Sequence, residues 1–535
     1  MIGGAAGAGG SRSRWILVMA CVIVVFSTHF ESFGMGLADY DDWWPPNLAE
    51  ELARPQDGQS FFEMLEITAA RPPRLAQVLP AMVLAVAWAM GGGAPFLLHL
   101  FILLAHILCA LALYRLSNRL GVKPGAAWTA TLLFCASPWS FEIGPLAANM
   151  DWVMVTGLLL FSASLFMDFL EQGMHGRYVW SIVLFLTALT CRETAVIAPV
   201  LFLALLVVTG RTREKWPALV PYIVIAAAAF MVLFVLFRPE LPLTKPAIPR
   251  SWLLSGDPNA AAVTALGIVR GLFQANPGQV ESGSALALAA ILGVAFFVLS
   301  ILSFRSKNKT AVYFFTAWTA VMLVPLAFVS GGYMDLEARL FYPASAGLLS
   351  LASMGLWNGL PNTGVKKVRF AAAGLMVLFS GSITVAYESG YVDSRAGEER
   401  HIAMMQALAL QLECGTTLAL LDTGPMDEAA HTAALIAARA SKPCLRYVFV
   451  KNPRVSEKCP YRFRQISNKL VLVFAYAGSY FRADVLTAAR YLGKTDFVDD
   501  PNLSRAGCLA NDINGPFLTG EIVRYDRVLD ILGKH

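Results

Sequence analysis

Eleven apolar runs close to the length needed to cross a bilayer, about 20 residues, follow one another along this chain and restrict it to membrane architectures. They are Trp15–Phe30, Pro95–Tyr114, Gly125–Phe141, Met150–Leu170, Tyr178–Thr190, Thr194–Thr209, Pro217–Phe237, Ala285–Phe304, Ala311–Val329, Leu340–Trp357 and Phe370–Tyr387. Only 15% of the 535 residues are charged, against about 25% in soluble proteins, so a water-soluble globule is excluded. Disordered, collagen-like and disulfide-scaffold chains are excluded by the same composition. The net charge of +5 is modest, and Lys and Arg sit in short clusters between apolar runs. That pattern belongs to membrane topology and not to a nucleic-acid surface.

One shorter segment, Leu75–Met90, decides the orientation of everything after it. It lies between Arg71-Pro-Pro-Arg74 and Gly91-Gly-Gly-Ala-Pro95. If it does not cross and the N-terminus is cytoplasmic, 15 Lys/Arg fall in short inside loops and nine in the longer outside loops. A crossing would invert that bias against the positive-inside rule. We therefore expect an interfacial or dipping helix there, a mainly α polytopic bundle of about eleven spans, and an extracytoplasmic C-terminus. The first run is expected to be a retained span and not a cleaved signal peptide, because its core is long and no A-x-A site follows.

The composition changes near Ser389, which divides the chain into a membrane domain (residues 1–388) and an extracytoplasmic domain (residues 389–535). Thr417–Asp422, Leu445–Lys451 and Lys469–Tyr476 read as buried strands. Met426–Arg439 and Ala483–Leu492 read as helices, so a small α/β domain is expected. Four of the eight cysteines fall here, Cys414, Cys444, Cys459 and Cys508. An oxidising compartment would allow two disulfides in any of three pairings; free buried thiols are the alternative.

Candidate chemistry gathers at the expected outer face. Asp39, Asp41 and Asp42 closely follow the first span, beside Trp43 and Trp44. Carboxylates this close to a bilayer repel one another unless a substrate or cation uses them. Such a group could deprotonate an acceptor hydroxyl, with a neighbour raising its proton affinity; a plain hydrated loop is the competing reading. Arg192 and Glu193 interrupt an apolar stretch, a costly place for charge, although a polar hairpin tip would also account for them. Asp335-Leu-Glu337-Ala-Arg339-Leu-Phe-Tyr342-Pro343 opens the tenth span. Its arginine could bind a phosphate through paired hydrogen bonds, and Tyr342 could hold an oxygen; an interface anchor is the alternative. Asp151, in Asn149-Met-Asp151, joins them at the start of the fourth span. Together these groups suit a reaction on a lipid phosphate headgroup. His99 and His106 share a helix face, and helix–helix hydrogen bonding is expected of them before metal binding.

The order of these motifs resembles the GT-C superfamily of membrane glycosyltransferases, in particular the membrane half of the tetratricopeptide-containing O-mannosyltransferases. The resemblance covers roughly residues 15–360. It is carried by Asp41-Asp42, Arg71-Pro72, His99 with His106, Arg192-Glu193 with Pro199, the run from Leu133 to Asp151, and Glu337-Ala-Arg339-Leu-Phe-Tyr342-Pro343. Arg192 stands where those relatives usually carry Lys, Ala338 is inserted before Arg339, and no tetratricopeptide repeats follow. Sugar and acceptor are therefore not carried over. The resemblance implies a polyprenyl-phosphate-linked sugar donor and transfer on the extracytoplasmic side to a glycan, lipid or protein, and the small tail and basic inside loops suit a bacterial inner membrane. Asp41 would act as general base with Asp42 second and Asp39 in reserve, while Arg339, supported by Arg192, would stabilise the departing phosphate. Glu193, Glu337, Tyr342, Asp151 and His99 would line the substrate site. No metal is required by that chemistry, although the acidic cluster could hold Mg²⁺ or Ca²⁺. A polysaccharide polymerase or ligase, a lipid-glycan transporter or flippase, and a scaffold are the alternatives.

Overall fold

The computed structural model describes residues 9–34, 77–92, 95–231, 258–272, 283–328, 338–359, 366–414, 417–422, 442, 444, 446–451, 463–467 and 470–474. The described residues up to Val392 form one compact unit and those from Asp393 a second.

The first unit is helical. It contains α1 (Gly9–Thr28), α2 (Val78–Met90), α3 (Pro95–Arg119), α4 (Pro124–Cys135), α5 (Met150–Gln172), α6 (His175–Leu189) and α7 (Ala198–Val208). It continues with α8 (Val220–Phe230), α9 (Pro258–Leu272), α10 (Gly283–Ser303), α11 (Lys309–Leu323), α12 (Tyr342–Met354) and the part of α13 (Lys366–Gln411) that precedes Asp393. Among the described residues, six stretches are long and apolar enough to cross a membrane: Pro95–Arg119, Met150–Gln172, Leu286–Ser303, Lys309–Leu326, Ala338–Asn358 and Lys367–Gly390. The chain is a multi-pass membrane protein by these helices, and each overlaps one of the eleven apolar runs.

Two of the remaining runs are interrupted at proline. Pro138 follows α4 and opens a 3-10 turn, Pro138–Ser140. Pro217 opens another, Trp216–Leu219, just before α8, and Pro221 sits in the first turn of α8 itself. A proline supplies no backbone N–H and sets its own φ, so helices restart at it. Every residue from Leu133 to Ala147 is buried. Irregular backbone at membrane depth is tolerated where protein surrounds it. Helix α9 lies between the seventh and eighth apolar runs, where no run of spanning length marks it.

Helices α5 and α12 are the inner ones. Their spanning windows are 72% and 83% buried, against 33% for those of α10 and α13. Helix α5 packs between α3 and α6, and α12 against α4, α10 and α11. Small residues permit the closest approaches: a Cβ on Gly355 would overlap the Leu299 carbonyl, and one on Gly347 would sit 2.7 Å from the Phe315 carbonyl oxygen. Such contacts replace the missing hydrophobic drive between helices in lipid.

Helix α5 also sets the scale of the unit. Asp151 and Asp168 lie near its two ends, about 25 Å apart at 1.5 Å per residue. Arg115 and Arg119, at the end of α3, meet Asp168, so the start of α3 lies at the Asp151 end. Gln77 bonds Asp151 at 2.8 Å, and the Leu79 N–H reaches the Thr190 carbonyl at 3.4 Å. The starts of α2 and α3 are thus at the same end of the bundle, with only four residues between the two helices. Helix α2 does not carry the chain from one end to the other.

The second unit contains a four-stranded sheet of β1 (Thr417–Asp422), β2 (Arg446–Lys451), β3 (Phe463–Ser467) and β4 (Leu470–Phe474), in the order β2-β1-β4-β3. Strand β1 is parallel to both β2 and β4, Thr417 pairing with Arg446 and Leu470, while β3 is antiparallel to β4 with an irregularity between Gln465 and Ser467. The apolar runs mark β1, β2 and β4; β3, which carries Arg464 and Gln465, has no such run. Of the three possible cysteine pairings, one bond is defined, Cys414–Cys444. Cys459 and Cys508 lie outside the described residues, as do Met426–Arg439 and Ala483–Leu492.

Candidate active site

The Asp151 end of the bundle is built around three residues, Asn149-Met-Asp151, where a 3-10 turn (Ala147–Asn149) runs into α5. Asp151 is 2% exposed. It accepts hydrogen bonds from its neighbour's backbone N–H (Trp152, 2.6 Å), from Gln77 Nε2 at 2.8 Å and from Arg192 Nη1. A carboxylate in the first turn of a helix also meets the positive end of the helix dipole. Arg192 lies in extended backbone between α6 and the 3-10 turn Glu193–Ile197. Its guanidinium carbon stands 3.9 Å from the centroid of the Trp152 ring, so one arginine is held by both a carboxylate and an aromatic face. Glu193, in the first turn of that 3-10 segment, is partly exposed.

The second arginine reaches the same three residues from α12. The backbone N–H groups of Ala338 and Arg339 donate to the carboxylate of Glu142, at 3.3 and 3.1 Å. This caps the 3-10 turn Ala338–Phe341 that opens α12. The Arg339 guanidinium donates to Asn149 Oδ1 at 3.1 Å, and Asn149 Nδ2 returns a bond to the Glu142 carbonyl at 2.8 Å. Arg192 and Arg339, 147 positions apart in the chain, therefore attach two residues apart at the head of α5.

A buried polar layer supports this arrangement. His99 is 0% exposed and donates through Nδ1 to the Gly144 carbonyl at 2.8 Å. Tyr342 is also 0% exposed, and its hydroxyl lies 2.7 Å from His106 Nδ1. His29, at the end of α1, meets the Glu388 carboxylate at 2.6 Å, and Glu388 also accepts from the Ser32 N–H at 2.9 Å. Ser140 Oγ stands 3.4 Å from the other nitrogen of His29. A Cβ on Gly144 would come within 2.9 Å of His29 Nδ1, so this turn needs glycine to let the histidine in.

Of the residues singled out by sequence, the structure brings Asp151, Arg192 and Arg339 to one place, with Glu193 next in the chain. His99 and Tyr342 are buried in the core, where His99 bonds the turn at Gly144 and Tyr342 joins α12 to His106 of α3. Asp39, Asp41, Asp42 and Glu337 lie outside the described residues. Among the described residues there is no group of three or more His, Cys, Asp or Glu side chains that could hold a metal ion. Sequence reasoning missed Glu142, His29 and Glu388. Glu142 and Glu388 each stand one residue past the end of an apolar run and His29 falls inside one, and charge or imidazole at such positions is the signal that could have found them.

No family model and no curated protein matches the chain. Among solved structures it is similar to the apo form of the Archaeoglobus fulgidus oligosaccharyltransferase, with 12% identity and a TM-score of 0.47 over 81% of this chain and 64% of that one. It is similar to ArnT from Cupriavidus metallidurans bound to undecaprenyl phosphate, with 12% identity and a TM-score of 0.45 over 88% and 98% of the two chains. A third similar structure is the A. fulgidus oligosaccharyltransferase tethered to an acceptor peptide containing the NVT sequon, at 14% identity, a TM-score of 0.45, and 82% and 63% coverage. The chain thus spans less than two thirds of the length of the archaeal enzyme.

Proposed function

We propose that the protein is an integral-membrane glycosyltransferase of the GT-C kind, moving a sugar from a polyprenyl-phosphate donor to an acceptor hydroxyl on the extracytoplasmic face. The observation that carries this reading is the convergence of Arg192 and Arg339 on Asn149 and Asp151. Two guanidiniums fixed at one end of an apolar bundle suit a phosphate that enters with its lipid tail in the bilayer. The motif order supports the same family, and the finer likeness to O-mannosyltransferases rests on those motifs alone.

In the proposed reaction Asp41, with Asp42 and Asp39 beside it in sequence, takes the proton of the acceptor hydroxyl. The acceptor oxygen forms a bond to the anomeric carbon from the face opposite the phosphate, inverting the configuration. The bond from that carbon to the phosphate oxygen breaks, and its electron pair leaves on the polyprenyl phosphate. Arg339, with Arg192, balances the charge that develops there. Glu193 and Glu337 position the substrates, and His99 and Tyr342 hold the supporting layer. The Cys414–Cys444 disulfide suits an oxidising compartment, and so favours an extracytoplasmic second unit; the cytoplasmic N-terminus and the eleven-span topology are supported by the Lys/Arg bias of the loops.

The test is transfer by purified protein given a polyprenyl-phosphate-linked hexose. Wild type is expected to release polyprenyl phosphate with an acceptor present, and Asp41→Asn to lose the reaction. Full activity in both Asp41→Asn and Asp42→Asn would overturn the base assignment.

A further inference from the structure

Helix α5 carries a second buried carboxylate that the proposed transfer does not use. Asp168 is 0% exposed and lies at the opposite end of α5 from Asp151. Three guanidiniums converge on it: Arg115 Nη2 at 3.0 Å and Arg119 Nε at 2.8 Å, both from α3, and Arg177 Nη1 from the start of α6. Arg115 is fixed further by its Nε, which donates to Ser164 Oγ at 2.9 Å. The next acid in the chain is Glu171, and the Lys215 ammonium stands 5.0 Å from the Phe169 ring. Three guanidiniums therefore gather around Asp168, and beside them Arg211 pairs with Glu214 at 3.4 Å.

One arginine would neutralise Asp168, and three leave an excess of positive charge held in a fixed array. The array is not sealed: the side chains of Arg115, Arg119 and Arg177 are 39%, 33% and 36% exposed. Each guanidinium has five N–H donors, of which Asp168 and Ser164 take only one or two. The surroundings identify the anion. Trp180, one turn beyond Arg177, is 63% exposed, and Trp216, next to Lys215, is 58% exposed, with Met174 at 41%. Exposed tryptophans beside arginines at the end of an apolar bundle mark the boundary between acyl chains and headgroups. We propose that Arg115, Arg119 and Arg177, gathered by Asp168, bind the phosphodiester headgroup of an anionic glycerophospholipid. Basic pockets between spanning helices recognise such headgroups. The site is about 25 Å from Asp151 along α5 and does not depend on the transfer reaction.

The experiment uses the purified full-length chain in nanodiscs of phosphatidylcholine with increasing phosphatidylglycerol, reading retained lipid by mass spectrometry and the unfolding temperature. Wild type is expected to retain phosphatidylglycerol and to unfold at higher temperature with it. Arg115→Gln and Arg177→Gln are each expected to weaken that binding about fivefold, and Arg305→Gln, in another basic loop, to leave it unchanged. Asp168→Asn removes only the counter-charge, so it should unfold early in phosphatidylcholine and recover further than wild type as phosphatidylglycerol is added. If a glutamine variant does not fold, Asp168→Asn and Arg119→Gln still read the same dependence. The proposal is overturned if the glutamine variants retain as much phosphatidylglycerol as wild type. An equal Asp168→Asn deficit in both lipids, or equal protection by inorganic phosphate, would also overturn it.

Discussion

Arg192 and Arg339 are held by different chemistry, and the difference makes them separable. Arg192 is bound by a carboxylate and a ring face, whereas Arg339 is positioned through its own backbone. Glu142 is the critical partner because its buried carboxylate accepts both the Ala338 and the Arg339 N–H. Glu142→Ala is expected to lower stability by about 1–3 kcal/mol, the cost of leaving buried donors unsatisfied, measured by thermal unfolding in detergent. Transfer should fall by more, on the order of a hundredfold, because small misplacements of a charge-stabilising group are costly. Glu142→Gln keeps an acceptor oxygen and should recover part of both. In the supporting layer, Glu388→Ala removes the partner of a fully buried imidazole and should lower the unfolding free energy by about 1–3 kcal/mol. An unchanged melting curve would mean that the His29–Glu388 contact is not formed in the folded protein.

At the scale of elements, the tight packing of α12 is the feature most open to attack. Gly355 lies against the Leu299 backbone, which cannot rotate away as a side chain can. Gly355→Ala is therefore expected to destabilise by about 1–3 kcal/mol, the usual cost of overpacking, seen as a lower unfolding temperature. The same substitution at Gly374, where nothing lies within 4 Å, should have little effect. This contrast bears on what could be read from sequence. Hydropathy locates the long spans and the apolar strands β1, β2 and β4, because burial in lipid or in a sheet core leaves a continuous apolar run. It does not resolve where Pro138 and Pro217 break helices, nor find α9 or β3. At the site, Arg192 and Arg339 are visible because charge beside apolar sequence is costly. Glu142 and Glu388 carry the same signal more weakly, because each also looks like the ordinary end of a span. Only the fold reveals that Glu388 meets a histidine 359 residues away.

For the whole molecule, the account requires the Asp151 end of the bundle to face outward. Cysteine introduced as Gly91→Cys, beside the start of α3, should react with an impermeant reagent added from outside intact cells, while Thr212→Cys should react only after permeabilisation. The reverse pattern would place the arginine pair on the cytoplasmic side and separate it from an external acceptor. The second unit should depend on its disulfide: Cys414→Ser is expected to cost about 2–4 kcal/mol, read as proteolytic opening of residues beyond 393 while the helical unit stays intact.

The most direct measurement is equilibrium binding of polyprenyl phosphate, without sugar, to the purified protein in nanodiscs. If the two arginines at the head of α5 form the phosphate site, wild type binds it, and Arg339→Gln and Arg192→Gln each weaken binding by about tenfold or more, as expected for loss of a charge-assisted contact worth roughly 1.5–3 kcal/mol. Affinity equal to wild type in both variants would contradict the account, whatever the transfer assay gave.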